Sequence, residues 1–137
     1  MTLQWWQRAL LAIVLFTAGG TLAELLLLEH VEEIYQLIPV ILLGTVVIAT
    51  VVLWLKPTRS VVQAFRVVMA LCLASALVGI YLHYQANVEF VLERHPKMTG
   101  WPLMKEAATG AMPALAPGTM AQLALVGLLA TVSRRSA

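Results

Sequence analysis

The chain has little charge and almost no cysteine. Of its 137 residues, 12% are charged and 61% are hydrophobic, and the mean hydropathy is +0.86. Soluble domains carry about 25% charged residues, so this composition excludes an ordinary soluble protein and indicates an integral membrane protein. The single Cys72 lies inside an apolar run. One chain therefore has no internal disulfide, paired-cysteine redox centre or cysteine-based zinc site.

The sequence also lacks the short motifs of common enzyme classes. It contains no nucleophile–base arrangement, no glycine loop that would cradle a phosphate and no metalloprotease helix. Its basic residues are scattered at the ends of apolar runs and are not clustered with aromatic residues on a polar face, which excludes a nucleic-acid surface. We therefore predict no catalytic residues and no cofactor, and we favour a non-enzymatic role.

What the sequence does contain is four apolar runs with short connections. Each is long enough to cross about 30 Å of hydrocarbon at 1.5 Å per residue, and no room is left for a separate soluble domain. We predict an all-α integral membrane protein, a four-transmembrane-helix bundle with a short extracytoplasmic helical cap, forming one domain over residues 1–137. The predicted spans are residues 5–28, 34–55, 61–84 and 115–133, and the predicted cap is 85–114.

Charge divides cleanly between the two sides of such a bundle. One side carries six basic residues and no acid, and the other carries all seven glutamates, all three histidines and only three basic residues. Basic residues mark cytoplasmic loops, so both termini are predicted to be cytoplasmic and the chain is predicted to lie in a cell membrane, with the bacterial inner membrane favoured. The six residues are Arg8, Lys56, Arg59, Arg66, Arg134 and Arg135.

An alternative interpretation of the first span is a cleavable signal peptide. Arg8, the apolar residues 9–18 and the small residues ending at Ala23 fit that pattern. However, the apolar run continues through residues 25–28, and Thr21 is a mediocre residue for its place before the cut. We therefore expect the first span to be retained.

The third helix is predicted to extend beyond the membrane. No helix breaker occurs between Val61 and the His95-Pro96 pair, and a residue before proline is pushed out of helical geometry. A helix reaching Arg94 would project ten residues, about 15 Å, into the outer compartment.

The segment that follows is predicted to form a short helix, with Pro102 in its first turn and Gly110 as its C-terminal cap. We expect its apolar residues to rest on the membrane interface and its charged residues to face water. The apolar set is Leu103, Met104 and Ala107, and the charged pair is Lys105 and Glu106.

Three polar residues are the main functional candidates: Glu24, His83 and Asn87. Glu24 lies within the first span, where a bare charge costs several kcal/mol. His83 ends the membrane part of the third helix, and Asn87 lies one turn above it. Small residues beside them would let helices approach closely, which would bring Glu24 near His83 as a structural pair or a proton-linked switch. These small residues are Gly19, Ala23, Ser75 and Gly79.

A metal site is a further alternative. His30 and Glu33 are three residues apart, and His83 with Glu89 could converge on them to give two nitrogen and two oxygen ligands for zinc, iron or copper. Carboxylate-bridged bundles use Glu-x-x-His motifs from two helices, and here only the reversed order occurs, once. We therefore predict that no metal is bound.

The sequence thus predicts a small accessory, structural or sensory membrane subunit with an acidic outer face. Its expected partners are the lipid bilayer and either another protein or further copies of itself, packed through small-residue helix faces. The alternatives are a proton- or cation-coupled transporter protomer that uses Glu24 and His83, and a membrane metalloenzyme that uses His30, Glu33, His83 and Glu89.

Overall fold

The structure is a computed structural model that describes residues 2–29, 34–110 and 116–132. All regular secondary structure in these residues is helical. The five helices are α1 (Trp5–Leu27), α2 (Ile34–Leu55), α3 (Arg59–Arg94), α4 (Gly100–Ala108) and α5 (Gly118–Ala130).

The first three helices are long and apolar enough to cross a membrane. Their bounds agree with the first three predicted spans, and α3 continues to Arg94, where the His95-Pro96 pair ends it. It has 36 residues, about 54 Å of helix. The fourth predicted span corresponds to α5, which has 13 residues and measures about 20 Å, less than the hydrocarbon thickness.

The chain divides into two compact units. Unit 1 contains the described residues of Met1–Ser75 and Met120–Ala137, and unit 2 is Ala76–Thr119. The core of unit 1 is built from helical stripes with spacings of three and four residues, which is the pattern of one helix face. These buried side chains are Leu11, Val14 and Ala18 of α1, Leu43, Val46 and Leu53 of α2, Phe65, Met69 and Cys72 of α3, and Leu123 and Ala124 of α5.

In unit 1, α5 packs directly on the first half of α3. A Cβ atom added at Gly127 would collide with the side chain of Met69 and would lie 3.3 Å from Cζ of Phe65. A side chain at position 127 would therefore have to displace Met69, whose side chain packs against the glycine backbone.

Polar groups within the apolar helices are satisfied locally. The hydroxyls of Thr45 and Thr50 donate to the carbonyls of Ile41 and Val46, at 2.8 and 2.7 Å, so neither leaves an unpaired donor in apolar surroundings. Pro39 lies inside α2, beyond its first turn. The chain thus gives up one helical hydrogen bond there.

Large apolar side chains cover much of the outer surface of these helices. Phe16 is 84% exposed, Ile48 67% and Leu77 63%. Soluble monomers rarely expose contiguous apolar surface on this scale. The exposed side chains therefore support membrane association, in agreement with the composition.

Candidate functional site

The structure gives the three polar candidates different environments. Glu24 is exposed on α1 in unit 1, whereas His83 is half-buried and Asn87 is 1% exposed on α3 in unit 2. The proximity of Glu24 and His83 stays a prediction, as does the transporter that depends on it. The small-residue face of α1 does not pack against the described residues: Gly19 and Ala23 are exposed, and no described atom outside the helix lies within 4 Å of a Cβ at Gly19.

The predicted metal ligands are only partly within the described residues. His30 and Glu33 lie outside them, and Glu89 is exposed on α3. Within residues 2–29, 34–110 and 116–132, no three side chains of His, Cys, Asp or Glu form a group that could hold a metal ion. The metal site therefore stays an untested alternative, because two of its four candidate ligands lie outside the described residues.

Asn87 holds the end of α4 against α3. A Cβ atom at Gly110 would lie 2.6 Å from Cγ and 2.7 Å from Oδ1 of Asn87, so the glycine backbone presses directly on the buried amide. Sequence reasoning assigned Gly110 to a helix cap, but the cap residue is Thr109. Among the described glycines, Gly100 alone has a positive φ, 65°. Gly110 therefore does not adopt the left-handed conformation of a glycine cap. The reason for glycine at position 110 is therefore close packing.

The packing of α4 also differs from the expected interfacial arrangement. Ala107 is fully buried and Leu103 is half-buried in unit 2, whereas Trp101 is 73% and Met104 52% exposed. The apolar residues of α4 thus form two faces: one packs within the unit, and the other presents Trp101 and Met104 outward.

Between the end of α3 and α4 lies an open cleft of about 520 Å³, which we call the cap cleft. It has both polar and apolar walls. The guanidinium of Arg94 sits over the ring of Phe90, with Cζ 4.1 Å from the ring centroid, a distance typical of a cation–π contact. The lining residues are Phe90, Val91, Arg94, His95, Pro102, Lys105, Glu106, Thr109 and Gly110.

Basic and acidic side chains of this region lie mainly on different faces. Arg94 and Lys105 line the cap cleft with one acid, Glu106. Glu89 and Glu93 are not part of its lining; they lie four residues apart on an exposed stripe of α3. Residues 85–110 contain three acidic and three basic side chains, counting Lys97. The formal charges of this region therefore balance, whereas the sequence interpretation emphasised its acids.

A second polar cluster, at the opposite end of unit 1 from Glu24, was missed by sequence reasoning. Arg66 donates from Nε to Oγ1 of Thr131 at 2.9 Å and from Nη2 to the Thr131 carbonyl at 2.7 Å. These bonds satisfy polar groups at the C-terminus of α5, where cations are favoured by the helix dipole. The signal was available, because Arg66 lies inside the predicted third span and a charge there calls for a partner.

Gln7 completes this cluster, which we call the basic end. Its Oε1 accepts a bond from the Gln4 amide at 2.9 Å, closing the first turn of α1. Its Nε2 donates to the carbonyls of Ala130 and Val132, at 3.0 and 3.4 Å. One side-chain amide thus joins the start of α1 to the end of α5.

An apolar groove of about 480 Å³ also lies in unit 1, on the surface between α1 and α2. At one end of it the guanidinium of Arg8 lies 5.9 Å from the ring centroid of Trp54. The groove is lined by Ala12, Leu15 and Phe16 of α1 and by Thr50, Val51, Trp54 and Leu55 of α2.

Comparison with known proteins identifies no relative. The chain matches no protein-family model, no curated protein and no solved structure. The class that the structure defines is therefore a helical protein with three helices able to span a membrane.

Proposed function

We propose that the chain is a small non-enzymatic membrane subunit, accessory, structural or sensory, that docks a protein partner through residues 85–110, which we call the cap. In this proposal α5 with its flanking residues is a fourth span, both termini are cytoplasmic, and the cap faces the outside of a bacterial inner membrane. The charge asymmetry of the sequence supports this orientation.

The observation that carries the proposal is the cap cleft together with the exposed face of α4. The cleft combines Phe90 and Pro102 with the charged side chains of Arg94, Lys105 and Glu106. Protein interfaces are enriched in aromatic residues, methionine and arginine, with a polar rim, and the exposed Trp101 and Met104 extend this composition beyond the cleft.

Close packing suits the cap to a docking role. Asn87 and Gly110 fix α4 to α3 without space for a side chain between them. A surface held in this way binds with a smaller entropic penalty than a flexible loop of the same composition. The opposite charges of the cleft favour a partner that presents both signs, because each buried charge needs a counter-charge.

Photo-crosslinking from the cap tests the proposal. A photoreactive amino acid at Met104 should capture one defined protein in cells, and the same group at Val67, 59% exposed in the membrane-spanning part of α3, should not. Arg94→Gln with Lys105→Gln should lower the yield at Met104 about tenfold, whereas Lys97→Gln, an exposed cation outside the cleft lining, should not. Equal capture from Met104 and Val67, or an unchanged yield in the double variant, contradicts docking through the cap.

A further inference from the structure

We propose that the groove between α1 and α2 binds an anionic glycerophospholipid, with one acyl chain along the groove and the phosphate held by Arg8 and Lys56. This site is independent of the cap and its partner. It requires only that α1 and α2 lie in a membrane, which their length and composition support.

The geometry of α1 aligns the cation with the groove. Arg8 precedes Ala12 by four residues, and Leu15 and Phe16 follow at the next turn, so all four lie on one helix face. Arg8 and Phe16 are separated by eight residues, about 12 Å along the axis. The groove therefore begins at a charged mouth and continues into an apolar trough.

The trough suits a hydrocarbon chain and not a free anion. Its walls are almost wholly apolar side chains. The hydroxyl of Thr50, the polar side chain among them, already donates to the Val46 carbonyl at 2.7 Å, and Thr50 is 0% exposed. A small polar solute would thus lose its hydrogen bonds to water without replacement, whereas an acyl chain has no hydrogen bonds to lose.

The mouth is suited to a phosphate. The guanidinium of Arg8 lies over the ring of Trp54. Because tryptophan is enriched at the membrane–water interface, this contact places the guanidinium near the lipid headgroups. A guanidinium binds phosphate oxygens with two parallel hydrogen bonds. Lys56 immediately follows the groove residue Leu55 and is exposed, and the proposal assigns its long side chain to the same phosphate as a second cation.

The distribution of acids leaves this mouth electropositive. The described acids of unit 1 are Glu24 and Glu29, and both lie toward the far end of α1. Glu24 follows Arg8 by 16 residues (24 − 8), about 24 Å along the helix, which exceeds the Debye length of about 8 Å at physiological salt. An anionic headgroup at Arg8 is therefore attracted without repulsion from the described carboxylates of unit 1.

Native mass spectrometry of the detergent-solubilised protein tests this site. An equimolar mixture of phosphatidylglycerol and phosphatidylcholine with identical acyl chains should give at least about fivefold more bound phosphatidylglycerol, the ratio expected when Arg8 alone contributes about 1 kcal/mol. Arg8→Gln should lower this ratio about fivefold. Lys97→Gln, which removes an exposed cation outside the linings of both the groove and the cap cleft, should leave it unchanged. Inorganic phosphate at the same concentration should not displace the lipid.

A groove variant separates the acyl-chain site from headgroup attraction alone. Ala12→Leu fills the trough and keeps Arg8, so it should reduce binding of both lipids severalfold in folded protein, as judged by an unchanged helical circular dichroism spectrum. The proposal is overturned by equal retention of the two lipids, by displacement with inorganic phosphate, or by equal effects of Arg8→Gln and Lys97→Gln. A lipid-free dimer that Ala12→Leu dissociates would also overturn it, since the groove would then be an interface between copies.

Discussion

At the basic end, the guanidinium of Arg66 donates two hydrogen bonds to Thr131 of another helical segment, whereas in the cap the carboxylates of Glu89 and Glu93 are exposed. The topology rule used for the sequence counts basic residues, so Arg66 enters it and the two glutamates contribute little. The two regions also differ in structure: Arg66 ties α3 to the end of α5, and the two glutamates carry charge on a surface. A charged residue can therefore serve a topology prediction and a packing contact at once, and the cap glutamates do neither.

The largest expected effect concerns the sides of the membrane on which the cap and the α2–α3 loop lie. In a Cys72→Ser background, a cysteine at position 97 should react with an impermeant thiol reagent in intact cells. A cysteine at position 58 should react only after the cells are opened. Lys97 and Thr58 are both exposed, so access to the reagent decides the result. The reverse pattern would invert the orientation proposed for the whole chain.

The next effect concerns the basic end. Arg66→Met should lower the free energy of unfolding by about 2 kcal/mol. The variant loses two hydrogen bonds from a charged donor, and the Thr131 carbonyl loses its partner. Arg66→Lys should recover only part of this loss, since an ammonium lacks the planar fork of the guanidinium. Thermal unfolding in detergent measures both changes.

A matched variant controls for charge at this end. Arg59→Met removes the same charge from the first residue of α3, where the side chain is exposed, and should cost less than about 0.5 kcal/mol. If Arg59→Met and Arg66→Met were equally destabilising, the contacts with Thr131 would contribute nothing beyond charge.

A smaller effect is expected at the contact that shapes the cap. Gly110→Ala places a Cβ within 2.6 Å of the buried Asn87 side chain, and such overpacking typically costs about 1 kcal/mol or more. Gly118→Ala is the control, because no described atom lies within 4 Å of a Cβ there. We expect faster amide hydrogen exchange across α4 in Gly110→Ala and unchanged exchange in Gly118→Ala. Identical exchange in both variants would show that the Asn87 side chain moves aside at little energetic cost.

The smallest effect is expected for the cap's exposed acids. Glu89→Gln and Glu93→Gln should each change the free energy of unfolding by no more than about 0.5 kcal/mol, since surface substitutions away from packed features rarely do more. A loss above about 1 kcal/mol from either would show that the cap carboxylates have a structural role like that of Arg66, and the contrast between the two regions would fail.

The elements were more predictable from the sequence than their contacts. Apolar runs and the His95-Pro96 pair give the three long helices, including the end of α3 at Arg94, because hydrophobic length and proline geometry act locally. The need of Arg66 for a partner could be predicted from its place in the third span, but the identity of that partner could not, since Thr131 is 65 residues away and no local pattern joins the two. For the same reason Gly110 was assigned to a cap, although its constraint comes from Asn87 on another helix.

The candidate site was predicted only in outline. The sequence predicted a cap over residues 85–114 and an acidic outer face, and the structure adds a cleft in that region that Arg94 and Lys105 line. The emphasis on Glu24 came from its depth in the first span, a one-dimensional measure. Which face of a helix meets a neighbour depends on rotation about its axis, and when apolar residues occur all round the helix their periodicity does not define that rotation.

The long sequence separation of the contacts at the basic end has a consequence for how the chain is made. Gln7 bonds to a carbonyl 123 residues later, and Arg66 to a residue 65 positions later. At synthesis rates of roughly 5–20 residues per second, Arg66 emerges about 3–13 seconds before its partner exists. During that interval its guanidinium must be kept in water or among lipid phosphates while α3 enters the bilayer. A ribosome that stalls before Thr131 therefore leaves a chain whose long helices are complete but whose basic end is open, a form that quality-control proteases could distinguish from the finished protein.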